Sequence, residues 1–137
     1  MVISEAFRAD WAPRLLSVLR IVVALLFLQH GLTKLFGFPY LDGLSNQPAF
    51  SLFWFAAIIE TVGGTLLLLG LFTRPVAFIL SGEMAFAYFI EHAPHSFFPL
   101  QNDGNDAVLF CFAFLYLAAA GGGPLSLDAL LSRKARA

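Results

Sequence analysis

Long apolar runs alternate with short polar breaks along the chain, and four of the runs read as helices that cross a bilayer. The first follows Asp10-Trp11-Ala12-Pro13, where a capping acid, an interfacial Trp and a proline tolerated in the first turn mark a helix start. It extends over residues 15–35. Gly37-Phe38-Pro39-Tyr40 ends it, and Asp42, Gly43, Ser45 and Asn46 make the connection to Pro48 a turn-rich loop or a short re-entrant segment. The second run, residues 50–72, holds a single charge, Glu60, and is long enough for a crossing. Gly70 closes it, and Thr73-Arg74-Pro75 opens the third, with Thr73 as cap and the proline in the first turn. A turn this short makes the second and third runs antiparallel neighbours.

The third run, residues 75–91, and the fourth, residues 106–121, are short against the roughly 20 residues a crossing needs. Their composition argues for the membrane all the same. Leu109-Phe110-Cys111-Phe112-Ala113-Phe114-Leu115-Tyr116-Leu117 is apolar on every face, whereas a helix on the surface of a soluble bundle shows a polar stripe. Flanking residues or local bilayer thinning complete short spans. The first run is followed by Thr33-Lys34-Leu35-Phe36-Gly37 and not by a small-residue cleavage site, so it reads as a retained span. The expected fold is an all-α integral membrane four-helix bundle, residues 1–137 forming a single transmembrane domain.

Composition points the same way: 59% of residues are hydrophobic and 12% charged, against about 45–50% and about 25% in soluble domains. The net charge of −1, with eight scattered Lys and Arg, argues against a nucleic-acid partner. The lone Cys111 lies inside an apolar run, which excludes an intramolecular disulfide and a cysteine-based zinc site. Charge position matters more than charge total. Arg8, Arg14, Arg20, Arg74, Arg133, Lys134 and Arg136 share one side of a four-span arrangement, and Lys34 alone stands on the other, with Asp42, Glu91, Asp103 and Asp106. The positive-inside rule then places both termini in the cytoplasm of a multi-pass protein of the cell (inner) membrane.

Ionisable residues within a span are costly unless they are paired or face a cavity, so His30, Lys34, Glu60 and Glu83 are the candidate functional groups. At about 1.5 Å of rise per residue, Glu60 lies about 12–15 Å from the outer end of the second span and Glu83 about 12 Å from the inner end of the third, both near mid-membrane. His30 and Lys34, four residues apart, share one face of the first span and point toward Glu60. Glu91, His92 and His95, with Asp103 and Asp106, extend the polarity to the outer surface, so the picture is a pocket open outward. Two readings of this cluster stand side by side: a buried pair that fixes helix register, or titratable groups gathered to bind a ligand and handle protons. Gly63-Gly64 and Gly82 beside the two acids either allow close packing or leave room for a flat ligand. Phe97-Phe98, between Pro94 and Pro99, reads as an interfacial anchor or a lid. Two histidines and the carboxylates are possible iron ligands, but no Glu-x-x-His pair is present, so neither a metal nor a haem is expected.

Several strings resemble the DoxX family of small four-span membrane proteins. They are Arg20 with His30-Gly31-Leu32-Thr33-Lys34-Leu35, Glu60-Thr61-Val62-Gly63-Gly64 with Leu67 to Arg74, Gly82-Glu83-Met84-Ala85 through His92-Ala93-Pro94, and the closing Gly121-Gly122-Gly123-Pro124-Leu125-Ser126-Leu127-Asp128. The resemblance implies an inner-membrane protein linked to respiratory or to thiol and oxidative-stress redox chemistry. Where the family carries an acid just before the fourth span, this chain has Asn105 and then Asp106, a shift that turns the side chain by about 100°.

Residues and resemblance together imply a quinone site in which His30 and Glu60 or Glu83 bond a quinone oxygen and carry its protons, with Lys34 and His92 beside them. No dinucleotide fingerprint, iron–sulfur motif or redox cysteine pair accompanies it, so the chain reads as an accessory membrane subunit, or anchor, of an oxidoreductase with a soluble redox enzyme as partner. The alternatives are a non-enzymatic membrane scaffold or assembly factor that recruits a soluble partner through its basic ends, and a small proton-coupled carrier acting as a homo-oligomer.

Overall fold

A computed structural model of the protein describes residues 4–136, which are all-helical with no strand among them. Helix α1 spans Glu5–Phe36, α2 Leu52–Leu69, α3 Thr73–Ala87, α4 Asn105–Ala120 and α5 Leu127–Lys134, and a π-helical turn, Tyr88–His92, continues α3. The first two helices are long and apolar enough to cross a bilayer, and α4 is a shorter apolar helix.

The first helix begins ten residues before the expected start at residue 15 (15 − 5 = 10). Ser4, not Asp10, is its cap: the Ser4 hydroxyl accepts from the Phe7 N–H at 3.2 Å, and Pro13 lies within the helix. Asp10 is instead available to Arg14 one turn on, at 3.0 Å. The helix stops where Gly37 adopts a left-handed conformation that a side chain would strain, its N–H returning to the Thr33 carbonyl. The second helix is trimmed at both ends, from residues 50–72 to Leu52–Leu69, because Ser51 caps one end and Gly70, also left-handed, closes the other.

At the α2–α3 turn the cap is not the expected Thr73, which is itself the first helical residue. The exposed amides of α3 are met from the far end of the chain. Asp128 accepts from the N–H groups of Phe72 and Thr73, each at 2.9 Å, and its own N–H donates to the Gly70 carbonyl at 2.9 Å. Ser17 is tied to the same segment, donating to Gly122 O at 3.3 Å and accepting from Leu125 N at 3.1 Å. These bonds gather the Ser17 region of α1, the α2–α3 turn and α5 at one end of the molecule, called here the termini end. The connections 37–51 and 93–104 form the opposite, loop end.

Between the two ends the four long helices share a core of Ala24 and Phe27, Leu67, Ala77, Leu80 and Met84, Phe114 and Leu117. Phe27 meets Phe110 and Phe114 edge-on, with centroids 5.4 and 4.8 Å apart, and so locks α1 to α4. Many large apolar side chains lie outside this core, among them Leu15, Val22, Phe55, Ile79, Phe86 and Leu109, giving the bundle an apolar exterior.

Candidate functional site

The site starts from a close helix crossing. At Gly31 a Cβ would lie 2.5 Å from Thr61 Oγ1 and 2.8 Å from Thr61 N, so only glycine lets the α2 backbone come this near. One turn on, Lys34 then reaches Glu60: Nζ to Oε1 is 2.5 Å, with both side chains buried. Lys34 Nζ also stands 5.9 Å from the centre of the Phe53 ring, a second favourable contact for its charge. A buried pair of this geometry is strongly coupled, since loss of either member strands the other in apolar surroundings.

The neighbouring glycines divide by role. Gly63 faces Leu80 of α3 and Gly64 faces Leu28 of α1, with would-be Cβ contacts of 2.7 and 3.2 Å, so this pair is packing. A Cβ on Gly82 would meet nothing within 4 Å. Beyond the Gly63–Leu80 contact, α2 and α3 enclose a cleft of about 460 Å³, with Lys34, Glu60, Gly82, Glu83 and Glu91 among otherwise apolar side chains such as Phe53, Phe55 and Phe86. Both Glu83 oxygens are shielded and have no hydrogen-bond partner among the described residues, as is also true of Glu60 Oε2. A cleft of this size, apolar with a few convergent polar groups, has the form of a small-molecule site.

Of the five residues singled out from the sequence, Lys34, Glu60 and Glu83 therefore share one cleft. His30 and His92 belong to a second cavity of about 330 Å³, which Lys34, Glu60 and Glu91 also line, together with Asp106. His30 Nδ1 is bonded at 2.8 Å to the Leu26 carbonyl of its own helix and its ring packs edge-on against Phe110 at 5.7 Å. It stands beside the ion pair and is not one of its hydrogen-bond partners. His92 Nδ1 is bonded to the Asn102 carbonyl at 2.8 Å, which ties the π-turn to the connection before α4. Asp106, not Asn105, lines the cavity. His95 and Asp103 line neither space.

Asn102 was not picked out by sequence reasoning. Its buried amide donates to Ser96 O at 2.8 Å and accepts from Gly104 N at 2.8 Å, shaping the connection before α4. An Asn before Asp-Gly signals a turn, but not a buried one. Phe97 and Phe98 project outward from this connection and form no lid over either space.

The model of the DoxX family matches residues 15–93, more than half of the chain, and takes in every residue of the ion pair and cleft just described. The chain belongs to the DoxX family. It is a membrane protein of that family and associates with the lipid bilayer. An uncharacterized protein of Haemophilus influenzae is 44% identical over 122 residues, covering 86% of this chain and 91% of the relative. The inner membrane protein YphA of Escherichia coli is 29% identical over 128 residues, covering 85% of this chain and 89% of YphA. No solved structure matches the chain.

Proposed function

We propose that this DoxX-family protein crosses the inner membrane four times with both termini in the cytoplasm and binds a lipophilic molecule of the quinone class in the cleft between α2 and α3, as the membrane subunit of a redox system. The observation that carries the reading is the Glu83 carboxyl, which faces an apolar cleft of about 460 Å³ without a hydrogen-bond partner among the described residues. A buried polar group left unbonded costs about 1–3 kcal/mol, so a ligand that bonds it is favoured by that amount over an apolar one. The cleft is walled by side chains that also form the apolar exterior, Phe55, Ile59, Ile79, Phe86 and Ile90, so a molecule dissolved in lipid enters from the side. The open space at Gly82 suits a flat ring.

A quinone fits these residues: Glu83 and the Lys34–Glu60 pair offer bonds to its two oxygens, and the Phe side chains cover its ring. The quinone supplies electron transfer when bound; the chain's part is to hold it, orient it and handle protons at Glu83. Four crossings are supported by the π-turn, which carries the third helical segment to His92, and by the apolar α4. Cytoplasmic termini are supported by Arg14, Arg74 and Arg133 at the termini end.

Binding is measured by quenching of the intrinsic Trp fluorescence with decylubiquinone, on protein in lipid nanodiscs. Glu83→Leu, which removes the hydrogen-bonding group and keeps the side-chain bulk, is expected to weaken binding roughly tenfold while the bundle stays folded, the loss of one hydrogen bond. Wild-type protein that binds no quinone overturns the reading.

A second reading rests on α5. Leu130 and Leu131 are exposed there beside Arg133 and Lys134, a surface suited to recruiting a soluble partner to the membrane. Deleting residues 133–136 then releases that partner, and equal recovery with the truncated chain counts against it.

A further inference from the structure

The second cavity is more polar than the lateral cleft. Its wall brings together His30 and Lys34 of α1, Glu60 of α2, Glu91 and His92 of the π-turn, and Asp106 from the first turn of α4. Phe27, Phe53 and Phe110 close its floor and sides. The cleft and this cavity meet at the same residues, Lys34, Phe53, Glu60, Ala87 and Glu91. One oxygen of Glu60 is taken by Lys34, and the other, Oε2, is buried with no partner from the described residues.

We infer that the second cavity is an aqueous branch that brings water, and with it protons, from the loop end of the bundle to Glu60 at the back of the ligand cleft. This deepens the cleft reading and depends on it only for the nature of the ligand. Water needs room and two to four polar partners. The cavity meets both needs, its volume of about 330 Å³ holding roughly ten waters at about 30 Å³ each, with titratable side chains from four segments of the chain around it. A water here satisfies Glu60 Oε2, the group the protein leaves open, and continues past His30 and Asp106 to the loop end. The ligand then reaches the site through lipid and its protons reach it through water, the two meeting at a single ion pair.

The branch is tested by thiol accessibility in nanodiscs, using a charged, membrane-impermeant thiosulfonate on single-cysteine variants of a Cys111→Ser background. Ala107→Cys sits in the first turn of α4 on the cavity wall, and Met84→Cys lies where that wall, which Glu60 shares, meets the hydrophobic core. Ile79→Cys replaces a residue that lines the lateral cleft only, and Phe97→Cys is the freely exposed control. Exposure alone predicts the opposite of the proposal: Ala107 and Met84 are 7% and 6% exposed, Ile79 60%. A thiol reacts as the thiolate, which forms in water and not in lipid, so Ala107→Cys and Met84→Cys are expected to react at least roughly tenfold faster than Ile79→Cys. If neither buried variant reacts while Phe97→Cys does, the branch is dry and the proposal falls. Reaction at 107 without reaction at 84 also overturns it, because the water then stops short of Glu60. Equal reaction at 79 does the same, since the reagent then reaches the bundle from its sides. Ala87→Cys, in the wall common to both spaces, replaces Met84→Cys should that variant fail to fold. None of these outcomes depends on quinone binding, so the branch and the cleft stand or fall separately.

Discussion

At the termini end the Arg20 side chain, 1% exposed, donates to the Leu125 carbonyl at 2.6 Å and lies under Gly70 and Gly122. Nearer the middle of the bundle the Glu83 carboxyl oxygens are also shielded, but they face open space with no hydrogen-bond partner among the described residues. Both regions hold buried polar groups, and they use them differently. Ser17 and Arg20 bind α1 to the 122–125 segment more than a hundred residues away, and Asp128 binds α5 back to Gly70 and the start of α3. Arg20 Nε and Nη1 are also without hydrogen-bond partners among the described residues, but the guanidinium is packed against Gly70 and Gly122, whereas Glu60 and Glu83 line open volume. Unsatisfied polar atoms beside open volume are the ones that a water or a ligand can reach and bond.

The comparison breaks most severely at the Lys34–Glu60 pair, where a buried charge is satisfied from within the fold. Lys34→Met strands Glu60 in apolar surroundings and is expected to cost about 3–5 kcal/mol, read from unfolding in detergent or bicelles. Lys34→Met with Glu60→Gln is expected to recover most of that loss. A double variant as unstable as the single one would mean that the pair holds the helices through packing and not through charge.

Gly70→Ala probes the termini end by taking away its slack. The added Cβ collides with Arg20 and with Ser126, and φ is +68° at this position. Left-handed strain of about 1–2 kcal/mol and overpacking of about 1–3 kcal/mol give a loss of about 3 kcal/mol. A loss below 1 kcal/mol would mean that the strap over Arg20 is loose.

Asp128 tests the strap with a smaller effect. Burial raises its carboxyl, but the hydrogen bonds from the Thr73 and Phe72 amides, with Arg20 nearby, outweigh that and hold it below the ordinary carboxylate range. A group depressed on folding contributes stability above its unfolded pKa, and the contribution fades as pH falls through the folded one. Stability is therefore expected to drop on acidification below about pH 4, the ordinary Asp range, and the drop is expected to vanish in Asp128→Ala. That variant costs about 1 kcal/mol at neutral pH, the usual value of a helix cap. A pH profile unchanged by the substitution would remove Asp128 from the strap's energetics.

Gly82→Ala is the gentlest change and sharpens the contrast with Gly70. Open space at this helical position removes any clash, so the substitution is expected to stabilise the protein by about 0.5–1 kcal/mol through helix propensity, while narrowing the cleft and weakening decylubiquinone binding. A destabilised Gly82→Ala would show that the cleft collapses onto this glycine.

Helices, and the residues that carry the site's chemistry, were legible because both are local properties of the chain. An apolar run must become a helix to satisfy its own backbone in lipid, and an ionisable residue inside such a run stands out against its neighbours, as Lys34, Glu60 and Glu83 do. The helix ends were read less well. Ser4 competes with Asp10 as a cap and Thr73 is capped from elsewhere, and neither outcome follows from a local pattern.

Composition and hydrophobic pattern by themselves determined the class of this protein, its helical segments and its short list of titratable groups. Tertiary structure decided which of these groups meet. It paired Lys34 with Glu60 through the close approach at Gly31, set His30 and His92 in a cavity apart from Glu83, and brought Asp128 to the start of α3. Spacing along a helix tells which face a side chain is on, but the rotation and separation of neighbouring helices follow from contacts between residues distant in the chain, and those contacts were what placed the site.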